Sequence, residues 1–191
     1  MESKRIVITG APGTGKTAII NNLESASYFC YHEVVRSMTK AAKLEQNTKE
    51  PSCNPLAFVK DAAAFNELLL KARHAHFSDA KGKLDPFVFY DRGMPDVLAY
   101  MDYFNQKFTT AYSNTCLSNR YDTVFILPPW KKIYKQDEER METFEQAVAL
   151  HSHLVKTYES LGYPIIFVPF DSIANRQEFI ISHLNKAFGA S

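Results

Sequence analysis

Cysteine is scarce in this chain, and its pattern excludes two kinds of framework. The 191 residues include three cysteines, Cys30, Cys53 and Cys116, which are widely spaced and form no Cys-x-x-Cys pair. An odd number of isolated cysteines argues against a disulfide framework and against a zinc site, and it is typical of a reducing compartment. We therefore interpret these residues as buried thiols.

Long apolar runs and an excess of charge of one sign are also missing. No run approaches the roughly 20 apolar residues that span a bilayer, and the N-terminal stretch MESKRIVITG has too short an apolar run for a signal peptide. The net charge is +1, which gives no global reason to expect nucleic acid or an anionic membrane as a partner. These features predict a cytoplasmic protein without a membrane span, in which any anion site is local.

The size and composition fit an ordinary globular protein. Hydrophobic residues make up 46% of the chain and charged residues 23%, which are the proportions of a folded protein rather than a disordered one. A chain of this length can bury a sizeable core. We therefore expect a single domain over residues 1–191.

Short apolar strands alternate with helical patterns along the chain. Strands are expected at Arg5–Thr9, Ser27–Glu33, Phe87–Asp91, Tyr121–Pro129 and Pro164–Phe170. Helices are expected after Lys16, from Pro55 to about Phe77, after Pro95, over about Phe108–Leu117, over Met141–Gly162 and over Arg176–Phe188. The alternation predicts an α/β fold in which helices cover both faces of a parallel sheet. Ligands of such sheets bind at the carboxyl ends of the strands.

One motif indicates the class of the protein. GAPGTGKT, residues Gly10–Thr17, matches G-x-x-x-x-G-K-[ST] at every fixed position and lies between a predicted strand and a predicted helix. Small residues let the backbone N–H groups wrap phosphates, and the following helix adds its positive N-terminal end. Lys16 is expected to reach the β- and γ-phosphates, and Thr17 to present its hydroxyl to Mg²⁺. The expected nucleotide-binding residues are Gly10, Ala11, Pro12, Gly13, Thr14, Gly15, Lys16, Thr17 and Ala18.

The predicted strand FVFYD ends abruptly in two charged residues, Asp91 and Arg92. In a P-loop fold, a strand beside the phosphate-binding strand ends in an acid that holds Mg²⁺. We therefore predict that Asp91 is a magnesium ligand together with Thr17, and that Arg92 contacts a phosphate or a substrate oxygen. The alternative is a structural salt bridge of Asp91 with Arg92 or Lys16.

Glu33 is a candidate catalytic base. It follows the second predicted strand and therefore falls at the same edge of the sheet, where a carboxylate can take the proton of an alcohol acceptor. The alternative is an exposed acid at a helix start with Arg36 as its partner.

A charged segment after the fourth predicted strand is a candidate lid. The stretch KKIYKQDEER lies between that strand and a long helix, and the expected lid covers about residues 130–141. Arg140 in this lid would neutralise charge on the transferred phosphoryl group, whereas the alternative is a solvated charged loop. Trp130 is expected to pack at the root of the lid, the alternative being a stack on a base. Asn175 and Arg176 follow the last strand and are candidates for contact with adenine.

GAPGTGKT, HEVVR, FVFYDRG and ERMETFEQA…YESLGYPIIFVP together resemble the AAA-domain P-loop ATPase/kinase family. That family includes the kinase domain of ribosylnicotinamide kinase regulators and is related to deoxynucleoside and thymidylate kinases. The resemblance covers nearly the whole chain. It implies a three-layer P-loop NTPase fold with a five-stranded parallel sheet, a short lid and binding of ATP with Mg²⁺. By position it implies the roles of Lys16 and Thr17 on phosphate and metal, Asp91 and Arg92 at the reaction centre, Glu33 as the acidic base and Arg140 as the lid arginine.

Two functions are compatible with these residues. The first is a small-molecule kinase that transfers the γ-phosphate of ATP to a hydroxyl of a nucleoside-like or other small metabolite. Its catalytic residues would be Lys16, Glu33, Asp91, Arg92 and Arg140. The second is a nucleotide-binding switch or slow ATPase (or GTPase) that acts through a partner. The sequence contains no N/T-K-x-D motif for guanine, which favours ATP.

Overall fold

The computed structural model describes residues 3–35, 62–134 and 142–189. Its strands are β1 (Lys4–Gly10), β2 (Phe29–Tyr31), β3 (Phe87–Asp91), β4 (Thr123–Leu127) and β5 (Ile165–Phe167). Its helices include α1 (Lys16–Ser25), α2 (Ala62–Asp79), α3 (Met94–Tyr103), α4 (Thr110–Ser118), α5 (Phe144–Ser160) and α6 (Ile173–Phe188), and a 3₁₀ turn covers Ala80–Gly82.

The strands form one parallel sheet in the order β2-β3-β1-β4-β5. β1 lies at the centre, where Ile8 pairs with Asp91 of β3 and Gly10 pairs with Leu127 of β4. Since all strands run in the same direction, their carboxyl ends meet at one edge of the sheet. The segment that follows β1 therefore leaves the sheet between the ends of β3 and β4.

Two apolar clusters cover the two faces of the sheet. Val7 belongs to the cluster that contains residues of α2, α3 and α5, while Ile6 and Ile8 belong to the cluster that contains residues of α1 and α6. Successive residues of a strand point to opposite faces, and all three of these side chains are fully buried. Burying one such side chain stabilises the fold by roughly 1.5–3 kcal/mol. The expected three-layer α/β P-loop fold with a five-stranded parallel sheet is confirmed.

Several elements differ in length from the expectation. β2 covers only Phe29–Tyr31, because Ser27 takes a left-handed φ of 68° in the turn after α1. α5 begins later than Met141, because the side chain of Thr143 accepts a hydrogen bond from the backbone N–H of Gln146 and caps the helix there. The predicted start of the helix at Pro55 lies outside the described residues. Within the described ranges, no helix has the length and apolar character that crossing a membrane requires.

Candidate functional site

The phosphate-binding motif connects β1 to α1 at the centre of the sheet edge. A Cβ atom added at Gly10 would lie 2.5 Å from the carbonyl oxygen of Leu127, so only glycine permits this approach of β1 to β4. Gly13 and Gly15 take left-handed φ values of 76° and 87°. α1 begins immediately afterwards, at Lys16. The loop thus has the strand–loop–helix context that the sequence predicts.

The side chain of Lys16 is folded back onto this loop. Its Nζ donates a hydrogen bond of 3.0 Å to the carbonyl oxygen of Ala11, and Thr14 Oγ1 donates one of 2.9 Å to the same oxygen. Burial and the neighbouring Arg92 lower the pKa of Lys16 to about 7, although the nearby carboxylates oppose the shift. Burial thus penalises the charged ammonium form more than the surrounding carboxylates favour it.

Residues of two other segments pack against the outer side of the loop. Arg176 of α6 donates from Nη2 to the carbonyl oxygen of Thr14 at 2.9 Å. The ring of Tyr134 lies against Gly13, and Trp130 stacks on Phe170 with ring centroids 5.3 Å apart. Trp130 thus packs where the segment after β4 begins. The proposed lid arginine, Arg140, lies outside the described residues and stays a prediction.

The side chain of Asn175 contacts its own helix terminus. Its Nδ2 donates to Asp171 Oδ1 at 2.9 Å, and its backbone N–H donates to Ser172 Oγ at 3.2 Å. These contacts cap α6, whereas Arg176 is the residue of this pair that reaches the phosphate-binding loop. The suggested contact of both residues with adenine stays a prediction.

Asp91 and Arg92 lie at the end of β3, beside the loop. Asp91 is buried and pairs in register with Ile8 of β1. Arg92 has a left-handed φ of 76°, which is unusual for a residue with a side chain. Its Nε donates to Glu33 Oε2, and its Nη1 donates to the carbonyl oxygen of Gly10 at 3.2 Å and to Asp96 Oδ1 at 3.2 Å. Arg92 therefore joins the loop, the acid after β2 and the first turn of α3.

Two arginines hold Glu33. Its second carboxylate oxygen, Oε1, accepts a hydrogen bond of 3.0 Å from Arg73 Nη2, and the Glu33 side chain is only 12% exposed. Burial alone would raise the pKa of Glu33, but the guanidinium groups of Arg92 and Arg73 outweigh it and hold that pKa below its usual value. Glu33 is therefore ionised at neutral pH. Each carboxylate oxygen can accept more than one hydrogen bond, so Glu33 keeps hydrogen-bonding capacity beyond its two arginines.

Sequence reasoning missed Arg73 and Asp96. Arg73 lies on α2, and its Nη1 also donates to the carbonyl oxygen of Gly93 at 3.0 Å. Nothing in the pattern around Arg73 distinguishes it from a surface arginine. The sequence does contain a signal for Asp96: it comes four residues after Arg92, and it lies in the first turn of α3, where Pro95 marks a helix start. A carboxylate at that place both caps the helix and faces the arginine.

A narrow cleft opens beside this charged cluster. The aromatic residues Tyr31, His76 and Tyr90 and the charged residues Arg73, Asp91 and Arg92 line it. Tyr31 stacks on His76 with ring centroids 4.6 Å apart and on Tyr90 with centroids 5.1 Å apart. These aromatic rings therefore cover one another's faces beside the end of β3.

A family model described as an AAA domain (AAA_28) matches residues 5–176, which is most of the chain. No curated protein sequence is significantly similar to this chain.

Solved structures of a deoxyadenosine kinase, a thymidylate kinase and NadR protein have the same fold. Deoxyadenosine kinase from M. mycoides with products dCMP and dCDP is 19% identical, with a TM-score of 0.65 over 95% of this chain and 99% of that one. Thymidylate kinase from Ehrlichia chaffeensis is 14% identical, with a TM-score of 0.63 over 96% of this chain and 100% of that one. NadR protein in complex with NR is 14% identical, with a TM-score of 0.74 over 100% of this chain, which spans about half (52%) of the NadR chain. At these identities the similarity establishes the fold.

Proposed function

Because the chain belongs to this AAA-domain family of P-loop proteins, we propose that it is a kinase that transfers the γ-phosphate of ATP to a hydroxyl group. The proposed acceptor is a nucleoside-like or other small metabolite. One observation carries the proposal: Glu33 is a partly buried, ionised carboxylate that two arginines hold at the sheet edge. A carboxylate in that setting suits a base that accepts a proton from an alcohol.

The donor nucleotide is assigned to the loop between β1 and α1. The backbone N–H groups of the loop and the N-terminus of α1 suit the phosphates, and Lys16 is close enough to the loop to contact them after it leaves Ala11. Thr17 lies in the first turn of α1, and Asp91 lies beside β1 at the end of β3. Their hydroxyl and carboxylate oxygens fit Mg²⁺, which prefers a few oxygen ligands and keeps several waters. Mg²⁺ bound with ATP would neutralise charge on the phosphates.

The acceptor is assigned to the side of Glu33 at the sheet edge, where Arg73 and Arg92 hold the carboxylate. Its chemical class follows from the kinase proposal and not from a ring-binding surface, because Tyr31 stacks on both His76 and Tyr90. In this arrangement Glu33 orients the acceptor hydroxyl and receives its proton. Arg92 acts through Glu33 and through the loop carbonyl of Gly10. These assignments agree with a reaction in which positioning and electrostatics supply the rate enhancement.

The test is a search for a phosphorylated product. The purified protein is incubated with ATP and Mg²⁺ and with a panel of nucleosides, nucleotides and related metabolites, and mass spectrometry detects any acceptor that gains one phosphoryl group. Lys16→Ala should abolish the product. Glu33→Gln should lower the transfer rate by roughly 10²-fold or more while nucleotide affinity stays almost the same. Glu24→Gln, at an exposed glutamate paired with His32, is the matched control.

Two results would count against the kinase. Tight nucleotide binding with slow hydrolysis and no phosphorylated acceptor would favour a switch that acts through a partner. A transfer rate that is unchanged in Glu33→Gln would remove Glu33 from the reaction.

A further inference from the structure

The carboxylate of Asp96 is fully buried and receives four hydrogen bonds. Oδ1 accepts from Thr9 Oγ1 at 2.5 Å and from Arg92 Nη1 at 3.2 Å. Oδ2 accepts from the backbone N–H of Gly93 at 2.9 Å and from Tyr158 Oη at 2.6 Å. The donors belong to β1, to the turn between β3 and α3, and to α5. Asp96 thus connects three parts of the fold that meet at the sheet edge.

These contacts exceed what a helix cap needs. A cap requires only the hydrogen bond from Gly93, which satisfies one free N–H group at the start of α3. A buried charge is costly unless it is paired and hydrogen-bonded, and the Asp96 side chain is 0% exposed. Arg92 and Arg73 supply compensating positive charge, and Thr9 and Tyr158 add hydrogen bonds. Arg92 also contacts the Asp96 carboxylate directly.

Arg92 connects Asp96 to Glu33, because its guanidinium group donates hydrogen bonds to both carboxylates. Its Nη1 atom lies between Asp96 Oδ1 and the carbonyl oxygen of Gly10, and its Nε donates to Glu33. The guanidinium is planar and rigid, so fixing Nη1 also fixes the direction of the Nε–H bond. The Glu33 carboxylate has Arg73 on its other oxygen. Removing the contact to Asp96 would leave the carbonyl oxygen of Gly10 as the partner of Nη1 and would let the whole guanidinium plane shift relative to Glu33.

We propose that Asp96 is a positioning residue for phosphoryl transfer, which holds Arg92 and, through Arg92, sets the orientation of the Glu33 carboxylate. This inference rests on the proposed kinase function, in which Glu33 meets the acceptor. The negative charge of Asp96 also opposes the lowering of the pKa of Glu33 by the two arginines. Asp96 therefore helps Glu33 to remain basic enough to accept a proton.

The kinetic test separates positioning from stability. Asp96→Asn keeps the shape of the side chain and removes its charge, and it should lower kcat at least about tenfold while the KM for ATP stays within about twofold. In an Arg92→Lys background the same substitution should change kcat by less than about twofold, because the two residues act as one unit. Asp122→Asn is the matched control, since Asp122 holds Lys4 and Arg5 at the opposite edge of the sheet. That control should keep kcat. Equal, additive losses in both backgrounds would overturn the proposal.

A second measurement needs no acceptor. Arg92 Nε–H is hydrogen-bonded to Glu33 in a side chain that is 10% exposed, so its proton should exchange slowly with water in ¹H–¹⁵N spectra, where Arg92→Lys assigns the signal. Asp96→Asn should raise the exchange rate at least about tenfold, and Asp122→Asn should not. If Asp96→Asn does not fold, Thr9→Val is the alternative variant. It removes the hydrogen bond from Thr9 to Asp96 Oδ1, the oxygen that also accepts from Arg92. It should likewise raise the exchange rate of the Arg92 Nε–H proton.

The outcomes distinguish the two proposals. Unchanged exchange in a folded variant overturns the role of Asp96 whether or not an acceptor is found. Faster exchange with an unchanged kcat overturns it as well. A wild-type protein that phosphorylates nothing in the panel refutes the kinase proposal, and in that case the exchange rates alone decide whether Asp96 holds Arg92 on Glu33.

Discussion

The aromatic ring of Tyr134 lies directly on Gly13: a Cβ atom added at Gly13 would come within 2.6 Å of ring carbon Cδ2. Tyr134 belongs to the turn after β4, where its backbone N–H donates to the carbonyl oxygen of Trp130 at 3.1 Å. Its hydroxyl donates to the carbonyl oxygen of Glu142, just before α5. A movement of the phosphate-binding loop therefore changes the surroundings of the turn after β4.

Gly13→Ala should lower the affinity for ATP with Mg²⁺ at least about tenfold, as titration calorimetry would measure. The substitution combines a left-handed φ of 76°, which costs roughly 1–2 kcal/mol for a residue with a Cβ atom, with the clash against Tyr134. Gly162→Ala is the matched control, because Gly162 has a φ of 73° and no atom within 4 Å of an added Cβ. It should lose stability and keep its affinity. Equal affinities of the two variants would contradict this account.

The fluorescence of Trp130 should change when nucleotide binds. Trp130 is the single tryptophan of the chain, so its emission can be followed without interference from another indole. It stacks on Phe170 and begins the turn that places Tyr134 on the loop. Titration with ATP and Mg²⁺ should therefore shift or quench the emission, and Lys16→Ala should require far more nucleotide. Emission that stays constant at saturating nucleotide would show that the turn does not respond to the loop.

The central strands of the sheet can be predicted from short stretches of the sequence. Three strands, β1, β3 and β4, are buried over nearly their whole length. Short apolar runs in a single sequence are enough to predict buried strands of this kind. β2 is harder to delimit, because it is an edge strand of three half-buried residues whose length depends on pairing with β3. Strand ends of this kind are set by tertiary contacts rather than by local preference.

The candidate site was predictable only where residues lie next to a strand end. Asp91 and the phosphate-binding loop follow strands directly, so the parallel sheet alone brings them together. Arg73 reaches Glu33 from the middle of α2, which the sequence reveals only if the packing of that helix is known. The pairing of Arg92 with Glu33 joins residues 59 positions apart, and no periodicity indicates it.

ATP binding should be coupled to uptake of a proton by Lys16. The pKa of this residue is about 7 in the structure, and a bound triphosphate raises it because opposite charge favours the ammonium form. At pH 8 the nucleotide-free protein should therefore take up roughly 0.9 proton for each nucleotide bound, and at pH 6 it should take up little. Titration calorimetry in buffers of different ionisation enthalpy measures this number. Lys16→Arg, which stays charged, should show no uptake at pH 8; an uptake equal to that of the wild type would assign the proton to another group.

Acid should destabilise the protein partly through Glu33. Its pKa in the folded state lies below the usual value of 4.5, so its contribution is present above that value and is lost as the pH falls through the folded pKa. Glu33→Gln should lower the thermal midpoint at pH 7, because it leaves Arg73 and Arg92 without their shared partner. Between pH 5 and pH 3 the variant should lose less stability than the wild type. Parallel pH curves would show that Glu33 does not titrate in unfolding.

Asp91→Asn should weaken the binding of Mg²⁺ without preventing folding. Asparagine keeps the shape at the end of β3 but loses the charge that attracts the cation. The Mg²⁺ concentration that gives half of the maximal transfer rate should rise at least about tenfold. Asp122→Asn again serves as the control. A variant with wild-type turnover at low Mg²⁺ would remove Asp91 from the metal site.

The left-handed backbone conformation of Arg92 affects which residues related chains can accept at this position. A φ of 76° suits glycine or asparagine better than arginine, so the backbone alone gains nothing from keeping arginine at this position. In this chain the guanidinium compensates by joining Glu33, Asp96 and the carbonyl oxygen of Gly10. A relative that no longer needed an acidic base would be free to exchange this arginine for glycine and would fold more readily for it. Under the proposed kinase function, arginine at position 92 is thus expected in chains that keep the acid after β2, and glycine in chains that have lost it.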